Sequence, residues 1–172
     1  MTGLKYGGQL SYGRVLGNLL ADELERTGAP IPDALLPMPM HLSRYRQRGF
    51  NQALELASWC GPRLGVRICS HWATRHVDTP ALAALNKASR ELEIRGAFQA
   101  DTAVKGKHIA IVDDVLTTGA SSSELARELY DTGAQSVSLW VVARTASADV
   151  DQAEFINMRL SEEGSAASSK LP

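Results

Sequence analysis

His108-Ile109-Ala110-Ile111-Val112-Asp113-Asp114-Val115-Leu116-Thr117-Thr118-Gly119-Ala120-Ser121 is the stretch that decides the fold. Residues 109–112 are uninterrupted apolar residues, the pattern of a strand buried on both faces, so a strand is expected over 108–112. A helix is expected over 120–130, with Leu125 and Leu129 turned inward and Gly133 at the position of a C′ glycine. Strand, acidic pair, short Thr/Gly turn and helix follow in that order. In an open α/β sheet, ligands bind outside the C-terminal ends of strands, which is where this segment leaves the core.

Working outward, the same alternation recurs. A helix is expected over 8–25, with Leu16, Leu19, Leu20 and Leu24 on one face and Thr27-Gly28-Ala29-Pro30 as its stop. A strand over 33–38 runs into Pro37 and Pro39. Residues 41–47 read as a polar, Arg-rich loop. A second helix is expected over 51–64, with Leu54, Ala57 and Cys60 on one stripe, then a short strand over 66–72. Residues 73–96, with Arg75, Arg90, Arg95 and a helix-like piece at 81–89, read as an excursion over the site. The last strand is expected over 136–143. Four apolar runs separated by helical segments predict an α/β domain with a mainly parallel sheet flanked by helices. That domain is expected over 1–145. Ser, Ala and acidic residues dominate 146–172, which reads as a flexible C-terminal tail with one amphipathic turn at 155–160.

Composition narrows the function classes. The 172 residues carry 18 Lys and Arg against 19 Asp and Glu, a net charge of −1, which excludes a generally basic nucleic-acid coat and an acidic solvating chain. Hydrophobic residues at 44% suit an ordinary globular core. No apolar run approaches a membrane span, and the first residues lack the apolar core of a secretion signal. Two cysteines, Cys60 and Cys69, are too few for a disulfide framework, so a reducing, cytoplasmic setting is the expectation. Cys60, Trp59, Trp72 and Trp140 read as packing residues. Cys69, His71 and His76 are metal-ligand types, but no fourth ligand stands at suitable spacing for zinc.

The turn at Thr117, Thr118, Gly119, Ala120 and Ser121 suits a phosphate. Gly119 allows close backbone approach, and the first amides of a helix have no partner within it. The helix dipole supplies about 0.3–1 kcal/mol and each hydrogen bond to a charged oxygen about 1.5–3, so amides and hydroxyls dominate. Asp113 and Asp114 would repel a phosphate beside them, so they are expected to face sugar hydroxyls or a magnesium ion. A turn that holds hydroxyls at one end and a phosphate at the other describes a ribose 5-phosphate site. Thr-Thr-Gly by itself reads as an ordinary N-cap and turn; the full run, with the strand, two acids and helix around it, points to the site. Arg44, Arg46 and Arg48 follow the end of the first strand. Forked cationic donors of this kind suit a pyrophosphate, a solvated loop or DNA phosphates. Neither a P-loop nor a dinucleotide-binding glycine motif is present.

The run from Ile111 to Ser121 resembles the signature of type I phosphoribosyltransferases, which bind 5-phosphoribosyl-1-pyrophosphate. Leu36-Pro-Met-Pro-Met-His-Leu-Ser-Arg-Tyr-Arg-Gln-Arg-Gly-Phe-Asn-Gln52, and above all its R-G-F-N-Q core, is similar to the ComF/GntX family of phosphoribosyltransferase-like proteins. Lys5-Tyr6-x-Gly8, Thr79-Pro80-Ala81, Arg90 and Gly96-Ala97-Phe98 follow that family's order. The resemblance implies a type I phosphoribosyltransferase-like fold and a pentosyl-transferring activity with the phosphoribosyl donor, Mg2+ and an unidentified acceptor. It assigns the ribose hydroxyls and Mg2+ to Asp113 and Asp114, the 5-phosphate to residues 117–121, and the pyrophosphate to the segment from Met38 to Arg48. An alternative it carries is a non-catalytic, nucleotide-binding accessory role in DNA uptake (competence), with uptake or recombination proteins as partners. Relatives of this fold often pair, so a homodimer is a further expectation. The sequence departs from the family at Leu82, where Gln is usual, and at Glu93, where Asn is usual. The family's Cys-rich zinc ribbon, which precedes the Lys-Tyr element, is absent from this sequence.

Overall fold

The computed structural model describes residues 4–78, 93–145 and 158–159. Its elements are α1 (Leu4–Thr27), β1 (Ala34–Pro37), α2 (Leu42–Arg48), α3 (Gln52–Leu64), β2 (Ala73–Arg75), β3 (Phe98–Ala100), β4 (His108–Leu116), α4 (Ala120–Thr132), β5 (Ser136–Arg144) and β6 (Met158–Arg159). β4 sits between β1 and β5, parallel to both, with Leu36 beside Ile111 and Ile111 beside Leu139. β6 closes the order β1-β4-β5-β6 and runs antiparallel to β5. β2 and β3 form a separate antiparallel ribbon.

Side chains alternate across the sheet with a period of two, and both faces are covered. Leu36, Ile109, Ile111 and Leu139 pack with Leu125 and Leu129 of α4 and with Phe98 of the ribbon. Leu35, Ala110, Val112 and Trp140 pack with Leu20, Ala21 and Leu24 of α1 and Leu56, Ala57 and Cys60 of α3. Burial pushes the Cys60 thiol up to about 11. α1 and α3 approach closely because Gly17 has no side chain: a Cβ there would lie 2.7 Å from Trp59 Cβ and 2.9 Å from the Leu56 carbonyl oxygen.

Several sequence expectations are corrected. Leu19 is 55% exposed, because the buried stripe of α1 runs through Leu20, Ala21 and Leu24 instead. Trp59 is 39% exposed and lies under the Arg14 guanidinium rather than in the core. The expected loop at 41–47 is α2. His41 caps it by accepting from the Ser43 N–H, and Gly49 ends it in the left-handed region with its own N–H on the Tyr45 carbonyl. None of its residues is buried, so no apolar period marked it as a helix. The strand expected over 66–72 is reduced to one parallel bridge, Leu35 to Ile68, followed by a 3-10 turn at Ser70–Trp72. The strand expected over 108–112 continues to Leu116, so Asp113 and Asp114 belong to the strand itself. The helix expected at 81–89, together with Leu82 and Arg90, lies outside the described residues. So does most of the expected tail; its described pair, Met158–Arg159, is a strand where a helical turn was expected.

Candidate functional site

β4 delivers two carboxylates to the exit of the sheet. Asp113 Oδ1 accepts the Asp114 N–H at 2.9 Å, and Asp114 Oδ1 accepts the Val115 N–H at 2.9 Å. Burial, and then the neighbouring Asp114 charge, push the Asp113 carboxyl up to about 7. A carboxylate so placed gains from a cation or a hydroxyl donor that relieves both effects.

The carboxylates line a cavity of about 160 Å³, shared with Met38, Arg44, Arg48, Asn51, Arg75 and Ser121 among others. Arg44 and Arg48 are four residues apart and share a face of α2, whereas Arg46 points elsewhere on the helix, is exposed and does not line the cavity. The helix therefore divides the three predicted arginines two to one.

Arg75, which the sequence reading placed in the excursion over the site without giving it a role, enters from β2. Its guanidinium lies 5.5 Å from the Phe98 ring centre, and its Nε donates to the Val77 carbonyl at 3.3 Å. Burial lowers its pKa and the nearby Arg44 charge adds to this, while Asp78 and Asp113 act in the opposite sense. Ser43 donates to Asp78 Oδ2 at 2.5 Å, and His41 Nδ1 lies 3.5 Å from the same oxygen. That hydrogen bond, aided by the charges of His41, Arg44 and Arg75, holds the Asp78 carboxyl below its usual value.

Of the expected phosphate turn, Ser121 alone lines the cavity. Gly119 has a φ of 77° and precedes α4 with no side-chain cap, so no side chain of the turn competes for the first amides of that helix. Thr117 is exposed, Thr118 and Gly119 are half-buried, and Ala120 is buried. The site thus has a charged cavity and an adjoining turn.

The donor set fits Mg2+. Two adjacent carboxylates suffice for an ion that keeps several of its waters, and the raised Asp113 carboxyl is a site where positive charge is favourable. Among the described residues no larger group of His, Cys, Asp and Glu is placed to hold a metal, the Cys69, His71 and His76 set included.

No family model matches the chain. Individual relatives do. Over 146 residues the chain is 34% identical to the DNA utilization protein YhgH of Salmonella typhi, covering 83% of this chain and 64% of that protein. Over 147 residues it is 27% identical to competence protein F of Haemophilus influenzae, covering 81% and 64%. The chain is similar to these DNA utilization and competence proteins over most of its own length. It spans a little under two thirds of the length of these curated relatives. Among solved structures, glutamine phosphoribosylpyrophosphate amidotransferase from B. subtilis matches with a TM-score of 0.52 at 20% identity, covering 82% of this chain and 28% of that one. The fold of this chain is therefore α/β of the type I phosphoribosyltransferase kind.

The run Arg48-Gly49-Phe50-Asn51-Gln52 has a structural account here. Gly49 terminates α2. Asn51 Oδ1 caps α3 by accepting from the Ala53 and Leu54 N–H groups, and its Nδ2 donates to the Met38 carbonyl at 3.1 Å. One side chain thus ties the end of β1 to the start of α3, the two segments between which α2 lies. No described helix is long and apolar enough to cross a membrane.

Proposed function

We propose that the cavity binds 5-phosphoribosyl-1-pyrophosphate with Mg2+ and that the protein transfers ribose 5-phosphate to an acceptor, releasing pyrophosphate. One observation carries this reading: paired carboxylates and arginines from separate elements line the same cavity, beside a helix start that no side chain caps. A ligand with hydroxyls at its centre and anions at both ends matches that distribution. Asp113 and Asp114 hold the ribose hydroxyls and the cation. Arg44 and Arg48 hold the pyrophosphate, and the amides and hydroxyls of residues 117–121 hold the 5-phosphate. Arg46, assigned to the pyrophosphate by the resemblance, is left out of this set because it stands outside the cavity.

In the transfer, the bond from the anomeric carbon to the pyrophosphate oxygen breaks and the pyrophosphate leaves with the electron pair. A bond from an acceptor nucleophile to that carbon forms, and the acceptor's proton is lost to solvent. Positive charge grows on the ribose as the bond breaks, and the carboxylates stabilise it through the hydroxyls they hold. The arginines stabilise the negative charge growing on the leaving group. Bound Mg2+ supplies further charge neutralisation of the pyrophosphate.

A second reading is favoured by the names of the relatives, a DNA utilization protein and a competence protein. In it the domain binds the donor without turning it over and serves DNA uptake as an accessory. Exposed Arg46 is then available to a polyanionic partner. Incubation with donor, Mg2+ and a panel of bases, followed by pyrophosphate release, separates the two. Release above buffer with any acceptor supports transfer. Donor binding in a calorimeter with no release supports the accessory role, and no binding overturns both.

A further inference from the structure

No residue of α2 is buried, so core packing does not set which way this helix faces. Its ends do. At the C-terminal end Gly49 closes on the Tyr45 carbonyl and Asn51 binds the Met38 carbonyl. At the N-terminal end the Ser43 hydroxyl donates to Asp78 Oδ2 at 2.5 Å, across 35 residues of sequence. His41 Nδ1 lies 2.9 Å from that hydroxyl and 3.5 Å from the same carboxylate oxygen. Asp78 is itself anchored. It follows shortly after β2, and just before it the His76 N–H donates to the Ala97 carbonyl at 3.1 Å. The β2–β3 ribbon is bound in turn to α4, where Glu124 accepts the Gly96 N–H at 2.6 Å and Glu128 accepts the Ala100 N–H at 3.0 Å. Through Asp78, α2 is therefore tied to the same body that carries the Thr/Gly turn.

The Asp78 bond matters because of where Ser43 stands on the helix. Successive residues turn by about 100°, so Ser43 flanks the face that carries Arg44 and Arg48, whereas Arg46 lies about 160–200° round from it. A short, exposed helix pinned at one end turns about its axis at little cost, because it gives up no buried contact by doing so. Such a turn would bring Arg46 toward the cavity and carry Arg44 and Arg48 away. A second pin, set off the axis at Ser43, removes that freedom. Its donor is a neutral hydroxyl and its acceptor a carboxylate, so the bond is charge-assisted yet less weakened by salt than an exposed ion pair.

We propose that Asp78 is a positioning residue of the site: by holding Ser43 it fixes the rotation of α2, so that Arg44 and Arg48 rather than Arg46 face the cavity. Asp78 acts only through the helix. The consequence for the donor rests on the donor-binding reading above, whereas the rotation itself does not.

Two measurements test this, the first without any ligand. The protein is labelled with phenylglyoxal, an arginine-specific dicarbonyl, and the rates at Arg44 and Arg46 are read by mass spectrometry. In the wild type exposed Arg46 should react faster than half-buried Arg44. In Asp78→Ala, and equally in Ser43→Ala, the ratio of the two rates should shrink by roughly fivefold, the weight of one exposed charge-assisted bond. Ser43→Thr keeps the hydroxyl and should keep the wild-type ratio. The double variant should shrink it no further than either single one, because both remove the same bond. The second measurement is calorimetry with 5-phosphoribosyl-1-pyrophosphate in Mg2+. Asp78→Ala should weaken binding by roughly fivefold for the same reason. In that background Arg46→Ala should cost as much affinity as Arg44→Ala, whereas in the wild type it costs far less. An unchanged labelling ratio in both Asp78→Ala and Ser43→Ala overturns the assignment, whatever the donor does. A ratio that shrinks while the two arginines keep their wild-type difference in donor binding also overturns it, since Asp78 would then only steady the helix. A wild type that binds no donor overturns the donor reading alone, and the labelling then decides the rotation by itself.

Discussion

The two walls of the cavity reach opposite charge by opposite means. The β4 wall sets its carboxylates at the end of the central strand, where burial and mutual repulsion push Asp113 up to about 7 and backbone N–H groups hold each in place. The α2 wall sets its arginines on a seven-residue helix with no buried residue, held by end caps and by the neighbouring Asn51. The acidic wall is rigid and costly to keep charged; the basic wall costs little and is positioned from outside. Changes to the first should therefore trade stability against binding, whereas changes to the second should affect binding alone.

The largest expected effect comes from Asp113→Asn combined with Asp114→Asn. Donor affinity should fall by about a hundredfold or more, on the order of two charge-assisted interactions. The same variant should be more stable than wild type near pH 8 by up to about 3 kcal/mol, as the charge of the desolvated Asp113 and its repulsion by Asp114 are removed. Calorimetry and denaturant unfolding read the two effects separately. A loss of stability alongside the loss of binding would mean that the acids are structural.

Next in size is the pH dependence of the acidic wall. The Asp113 carboxyl moves from 3.8 in the unfolded chain to about 7 in the folded one. A raised acid stabilises the fold fully below the lower value, and that contribution is lost as pH rises through the higher one. Relative to Asp113→Asn, wild-type stability should therefore fall between about pH 4 and pH 7 and level off above. Mg2+ affinity should run the other way, rising through pH 7 as the carboxylate forms. Parallel unfolding curves for the two proteins across that range would remove the physical basis for the acidic wall.

How much of this was legible beforehand differs between the walls. β4, the Thr/Gly turn and α4 could be read because the apolar run, the N-terminal turn and Gly133 all point to one local structure. The length of β4 could not, because Asp113 and Asp114 resemble a loop until the equally long β5 is seen beside them. α2 was invisible for a different reason: an entirely surface helix has no buried period, and its caps are a histidine and a glycine. Arg75 was legible only as part of the excursion over the site, because a three-residue strand carries little pattern and its partner, β3, lies more than twenty residues on. Asn51 stood in plain view within the R-G-F-N-Q run, and an Asn before a helical stretch is itself an N-cap signal.

Asn51 supplies the next prediction, since it connects the walls. Asn51→Ala removes the α3 cap and the bond to the Met38 carbonyl, and should cost about 1–2 kcal/mol of stability. Because α2 hangs between that bond and β1, donor affinity should fall several-fold too. Asn51→Asp keeps the cap acceptor but loses the Nδ2 donor. It should recover much of the stability and little of the affinity if the Met38 bond is what positions α2.

The smallest expected effect is the sharpest test of α2 as a helix. In a loop, Arg44, Arg46 and Arg48 would be interchangeable contributors, and each alanine variant would weaken the donor alike. On a helix, Arg44 and Arg48 share the face that lines the cavity and Arg46 does not. Arg44→Ala should thus weaken donor binding by roughly tenfold, the value of one charge-assisted contact, and Arg46→Ala by less than about twofold, with neither moving the unfolding midpoint appreciably. What Arg46→Ala does lose should be its long-range attraction, which fades as salt is raised, whereas the loss in Arg44→Ala should persist because its partner is held inside the pocket. Equal and equally salt-sensitive losses from both would put the arginines back on a loop and leave the basic wall without a defined face.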